Sequence, residues 1–205
     1  SQPSTRRDSL RSGLLPRLPG MKFPYPTGSD HVPLFLAPMA GVSEPPYRRI
    51  ARRHGADVVL SEFLNAEAIR RRISSTLEGA EFDEVERPIG IQIYGAHADA
   101  MAHATALVTE HYQPDFIDIN FGCPVKKVCR TGAGSALLQD ADLAVSIARA
   151  AGEGSGLPVT VKLRPGVKPG ERTGVEVARR LVEEGVVVGI AFHPPAHLFD
   201  RAHLR

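Results

Sequence analysis

The chain has 205 residues, 42% of them hydrophobic and 23% charged, and a formal net charge of +2. That is the make-up of an ordinary globular domain, long enough for one packed core, and it excludes disordered and collagen-like classes. The longest apolar runs, such as 186–192, fall well short of the roughly 20 residues a membrane-spanning helix needs, so no membrane partner is expected.

Residues 1–31 mix Arg, Ser, Pro and Leu without periodicity and read as a poorly ordered extension. Leu14-Leu15 is too short for the apolar core of a secretory signal, and Gly20-Met21 offers a second translation start. From Pro33 onward, β-rich runs alternate with helical segments. The runs are 34–37, 58–63, 89–94, 116–121, 159–163 and 187–192. Between them, a helix over 45–53 starts on proline and stops before Gly55, and a helix over 65–74 starts on Asn65 as a cap. Helices over 99–111, 140–151 and 171–184 follow, the last two ending near Gly152 and Gly185. Regular βα units with no sign of two halves predict an α/β fold, a (β/α)8 TIM barrel rather than a doubly wound sheet. It is incomplete, with about six βα units over 32–193.

Barrels of this class place their chemistry at the C-terminal ends of the strands. After the first run, Pro38, Met39, Ala40 and Gly41 form a rigid turn suited to laying backbone against a flat ring, although a plain turn gives the same signal. Gln92, Lys162 and Arg164 are polar groups on otherwise apolar strands. A buried lysine needs a partner, either an anion or electron-rich ring edge, or an internal carboxylate such as Glu62 or Asp118. The fourth run ends in Asp118-Ile119-Asn120-Phe121-Gly122-Cys123-Pro124, which puts Cys123 on the functional rim between a glycine and a proline. A thiol there can donate a proton, or act as a nucleophile once activated. Cys129 reads as a small apolar residue. With only these two cysteines and no Cys/His quartet, no disulfide framework and no metal are expected, and a reducing, cytoplasmic location is. Arginines cluster at 6–17, 48–53 and 70–72; solvated helix faces account for them, with phosphate contact as the alternative.

APMAGVSEPPYR at 37–48, SEF at 61–63, IQIYG at 91–95, DINFGCPVKKVCRTGAGSALLQD at 118–140 and VTVKLRPG at 159–166 stand in order over about 33–193. Together they resemble the tRNA-dihydrouridine synthase family, most of all its bacterial members. The resemblance implies an FMN-dependent barrel that uses NADPH as reductant to reduce the 5,6 double bond of uridine in tRNA. It implies that Pro38, Met39 and Ala40 line the flavin through their backbone, that Gln92 and Lys162 hydrogen-bond the isoalloxazine edge, and that His193 contacts the flavin. Cys123 is the implied general acid, and Asn120 is implied to help hold the substrate and flavin region. Lys126, Lys127 and Arg130 follow the catalytic loop and suit tRNA phosphates, with a solvated loop as the alternative.

Family members complete the barrel with two further strands and add a helical domain that grips tRNA. Neither is present in these 205 residues, and 194–205 form an atypical tail. The chain is therefore expected to be the N-terminal part of such an enzyme, C-terminally truncated, poorly active alone and monomeric at full length. The alternatives are a catalytically inactive remnant, and another FMN barrel reductase acting on a free pyrimidine. The KKVCRTGAGSALL continuation after Gly122-Cys123-Pro124 argues against the latter.

Overall fold

The computed structural model describes Phe23 and residues 32–168 and 170–193; the rest of the 1–31 extension, with its arginines, and the 194–205 tail lie outside the described residues. In chain order the strands are β1 (Phe35–Leu36), β2 (Val58–Leu60), β3 (Leu64–Asn65), β4 (Ile89–Tyr94), β5 (Phe116–Phe121), β6 (Val159–Leu163) and β7 (Gly189–Phe192). All pairings are parallel, in the order β1-β2-β4-β5-β6-β7, with β3 on the far end of β4. Helices alternate with the strands, and the sheet curls into a half-barrel, an incomplete TIM barrel.

Strand alternation divides the side chains cleanly. Ile89, Ile91 and Ile93, then Ile117, Ile119 and Phe121, then Val159, Val161 and Leu163 join one large core with the inner faces of the helices. The other face, the barrel interior, carries Gly90 and Gln92, Phe116, Asp118 and Asn120, and Thr160 and Lys162. Its lower end is apolar, where Phe116 packs with Val58, Leu60 and Phe23. Gly90 makes room there, since a Cβ on it would stand 2.3 Å from the Phe116 ring.

Several elements depart from the sequence expectation. Of the run 58–63 only β2 is strand, with β3 beyond its end, because the Ser61 hydroxyl, in place of a backbone carbonyl, accepts the Gln92 N–H at 3.0 Å. The expected helix over 65–74 is two short ones, α2 (Ala66–Arg70), capped by Asn65, and α3 (Ser74–Glu78). They are split at Arg72, whose φ of 55° is left-handed. Before them lies α1 (Pro45–Arg53), with proline in its first turn as expected. After them come α4 (Ala98–Tyr112), the short α5 (Lys126–Cys129), α6 (Ala141–Ser155) and α7 (Thr173–Glu183).

Neither α5 nor the 3₁₀ segments Glu84–Glu86 and Gly134–Gln139 were anticipated from the glycine- and proline-rich sequence around them. α6 runs past Gly152 to a left-handed cap at Gly156. Gly154, inside α6, serves packing rather than termination, since a Cβ on it would lie 2.2 Å from the Ala102 carbonyl of α4.

The 48–53 arginine cluster is largely committed to the fold. Arg48 is buried against Glu86, and Arg52 donates to the carbonyls of Asp57 and Arg87. Arg49 pairs with Asp83. Among the described residues no helix is long and apolar enough to cross a membrane.

Candidate active site

Three neighbouring strands place their interior polar residues in register: Gln92 opposite Asp118, Asp118 opposite Thr160, and Asn120 opposite Lys162. The side chains join in one directed chain of hydrogen bonds. The amides of Gly122 and Cys123 donate to Asn120 Oδ1 at 3.1 and 2.8 Å. Asn120 Nδ2 donates to Gln92 Oε1 at 2.9 Å, and Gln92 Nε2 donates to Asp118 Oδ2 at 2.5 Å. Thr160 Oγ1 closes the other side of the carboxyl, donating to Oδ1 at 2.5 Å.

Asp118 is fully enclosed, and burial pushes its carboxyl up to about 6, against the opposing pull of the Thr160 and Gln92 hydrogen bonds and the Lys162 charge. Lys162 is half-buried, and desolvation lowers its ammonium from the usual lysine range. The charge of Asp118 counters that, Arg164 adds to it, and Cys123 counters it as well. Of the two internal partners the sequence offered for Lys162, Asp118 is thus the one whose charge reaches it. Lys162 Nζ lies 3.1 Å from His193 Nδ1. An ammonium has only donors, so Nδ1 accepts and the imidazole proton sits on Nε2. The Lys162 charge, followed by burial and Arg164, lowers His193 from its ordinary value.

Cys123 lies just beyond β5, partly exposed, with both backbone groups engaged. Its amide is held by Asn120, and its carbonyl accepts from Ser135 N at 3.0 Å and Cys129 Sγ at 3.4 Å. Arg164 Nε fastens the Gly122 carbonyl at 2.8 Å. Gly134, at a φ of 63°, lets the following 3₁₀ segment approach, since a Cβ there would stand 2.7 Å from the Cys123 carbonyl.

The β1–α1 loop is equally fixed. Met39 N donates to Ser43 Oγ at 2.9 Å, and Arg48 holds the Ser43 carbonyl at 2.8 Å. Met39 and Ala40 remain exposed, and Pro38 is half-buried. Between this loop and β6–β7 opens a cavity of about 500 Å³, lined by Pro38, Phe116, Asp118, Thr160, Lys162 and Ala191 among others.

The structure thus joins Gln92, Asn120 and Cys123 in one hydrogen-bonded chain and pairs Lys162 with His193, while Pro38 and Lys162 line the cavity. Among the described residues no hydrogen bond joins Met39 or Ala40 to either set. Lys126, Lys127 and Arg130 lie exposed on or beside α5, with no acidic partner among the described residues. Sequence reasoning missed the anchoring work of Asn120, Thr160, Ser61 and Arg164. The one available signal was that each is polar within or just after an apolar strand. Glu62 has one carboxylate oxygen that is buried and without a partner among the described residues. No group of three or more His, Cys, Asp or Glu side chains there has the arrangement to hold a metal ion.

The sequence model described as dihydrouridine synthase (Dus) matches residues 35–193, from the first strand to the histidine beside Lys162. The chain belongs to the dihydrouridine synthase family. Among curated members, tRNA-dihydrouridine synthase B of Pseudomonas aeruginosa is 38% identical over 160 residues, covering 78% of this chain and 48% of its own length. The enzyme of the same name from Pasteurella multocida is 37% identical over 161 residues, covering 78% of this chain and 48% of its own length. That of Xanthomonas campestris is 35% identical over 160 residues, covering 78% and 48%. The chain spans about half the length of these dihydrouridine synthases.

Proposed function

We propose that this chain forms the catalytic half-barrel of a tRNA-dihydrouridine synthase, which reduces the 5,6 double bond of uridine in tRNA with FMN and NADPH, Cys123 being the proton donor. The observation that carries the reading is the fixed seat of Cys123, tied through Asn120 to Gln92 and standing within the field of Lys162. The names of the relatives supply the reaction and the tRNA.

The residues fit a flavin. A cavity of about 500 Å³ with mainly apolar walls has room for a cofactor-sized ring, and of the residues assigned to the flavin Pro38 and Lys162 are in its lining. Gln92 keeps one N–H and one lone pair beyond its internal bonds. The amides of Ala40 and Gly41 have no acceptor among the described residues, so the backbone of that loop has donors to offer. Pro38, Met39 and Ala40 would hold the ring through their backbone, Gln92 and Lys162 would hydrogen-bond it, and His193 would contact it. When bound, FMN supplies the hydride-transfer chemistry, with NADPH as the source of reducing equivalents.

The chain's own residues position and protonate. The protonated thiol of Cys123 gives its proton to uracil C5 as negative charge develops there. Lys162 stabilises charge at the cavity wall, Asn120 holds the loop, and Lys126, Lys127 and Arg130 meet tRNA phosphates around a uridine unstacked into the pocket. A cytoplasmic location and a monomeric full-length form go with this reading.

The test is Cys123→Ala, prepared in this chain and in a version carried on to the relatives' length. FMN affinity should persist while dihydrouridine formation in unmodified tRNA falls by about a hundredfold or more, the scale of a lost general acid. Turnover at the parental rate would remove Cys123 from the mechanism.

A further inference from the structure

We propose that Asp118 is a positioning residue for Cys123, acting through the amides of Gln92 and Asn120. The argument rests on the direction of the hydrogen bonds. An ionised carboxylate only accepts, so Gln92 must turn its NH2 toward Asp118. Its carbonyl oxygen then faces Asn120, which must present its own NH2. That leaves Asn120 Oδ1 aimed at the N–H groups of Gly122 and Cys123. Either amide, if reversed, would set donor against donor or oxygen against oxygen, leaving buried polar groups without partners.

Asp118 therefore fixes, two side chains away, which face of Asn120 the cysteine loop meets. All three residues are buried, with Asp118 at the wall of the cavity, so a lost partner leaves a polar group in a poorly solvated place. Thr160 bonds the other carboxylate oxygen and contributes to holding Asp118, but it has no part in setting the direction. Above about pH 6 the carboxyl is ionised, which keeps it an acceptor under ordinary conditions.

The uridine-reduction arm of the test rests on the function proposed above, whereas the thiol arm does not. In a Cys129→Ala background Cys123 is the sole thiol, so its alkylation by iodoacetamide can be followed alone. Asp118→Asn can present its oxygen to Gln92 and its NH2 to Thr160, preserving the direction, and should alkylate within roughly twofold of the background. Asp118→Leu removes the acceptor, frees the loop and should raise the alkylation rate by roughly threefold or more. Thr160→Val weakens the support of Asp118 without reversing any amide. It should lower stability toward urea while leaving the alkylation rate near that of the background.

In the reduction assay Asp118→Leu should lower kcat by about tenfold with KM little changed, since the thiol is displaced rather than the binding surface. Equal alkylation in the Leu and Asn variants, both folded, would overturn the proposal. So would an increase in Thr160→Val as large as that in Asp118→Leu. If the alkylation pattern holds while no variant, the background included, reduces uridine even when carried on to the relatives' length, the positioning role stands and the uridine-reducing reading falls.

Discussion

Arg48 shows how a single side chain fixes the loop between β1 and α1. Its guanidinium bonds Glu86 at 2.5 Å, the Ser43 carbonyl at 2.8 Å and the Glu81 carbonyl at 2.7 Å, while only 1% of its side-chain surface is exposed. Removing one partner of such a pair strands a buried charge. Glu86→Ala is expected to cost about 3–5 kcal/mol in urea denaturation, whereas Arg48→Met with Glu86→Leu should cost less than the sum of the single changes. At this scale the sequence was half legible. Cys123, Gln92 and Lys162 stood out because each interrupts or follows an apolar strand. The burial of Arg48 could not be read, because it depends on a carboxylate 38 residues away, and local composition made the arginine look like part of a solvated face.

Among the elements, the α4–α6 contact makes a sharp distinction between two glycines. A Cβ at Gly154 would meet the Ala102 carbonyl at 2.2 Å and Thr105 Oγ1 at 2.6 Å, whereas at Gly152 the nearest atom is Val159 Cγ2 at an ordinary 3.6 Å. Gly152→Ala should therefore raise stability by about 0.5–1 kcal/mol through helix propensity alone. Gly154→Ala should lower it by about 1–3 kcal/mol because the helices must separate. Thermal denaturation of the two variants checks both signs. The parallel βα succession was legible, since strands such as 89–94 and 116–121 are continuous apolar runs bounded by turns. The break between β2 and β3 was not, because Val58 to Phe63 keeps the composition of one strand and only the Ser61 side chain, bonded to Gln92 N, ends the ladder. Glycine was misread in α6 for a related reason: its helix-stopping and close-packing roles look alike until a neighbour is known.

At the scale of the molecule, Asp118 gives stability a definite pH dependence. Its carboxyl titrates near 6 in the fold against 3.8 in an unstructured chain, so between those values the native state keeps a proton that the unfolded chain has released. Stability then falls as pH rises through that window, by about 3 kcal/mol at roughly 1.4 kcal/mol per pH unit. Lys162 is the charged group whose field opposes this, while Gln92 and Thr160 contribute neutral hydrogen bonds. Glu67 and Glu176, held below the usual carboxylate range by hydrogen bonds from Arg70 and Arg179, act in the opposite sense, with stability lost as pH falls. The comparison of parent with Asp118→Asn isolates the buried group. Urea denaturation should show the variant more stable by up to about 3 kcal/mol at pH 7.5 and equal to the parent near pH 4.

The strand order also dictates which parts of the molecule let go first. β4, β5 and β6 are each flanked on both sides, whereas β1 and β7 have one described neighbour each. Amide hydrogens of 117–120 and 160–162 should exchange with deuterium at rates approaching those of global unfolding, and those of 35–36 and 190–192 by local fraying at far lower free energy. The polar row of Gln92, Asp118 and Asn120 belongs to the slow unit, while the Pro38 loop and His193 hang from the fast ones. A ring seated between them would rest on a floor of slowly exchanging strands beneath Cys123, with its outer contacts on strands of lower local stability.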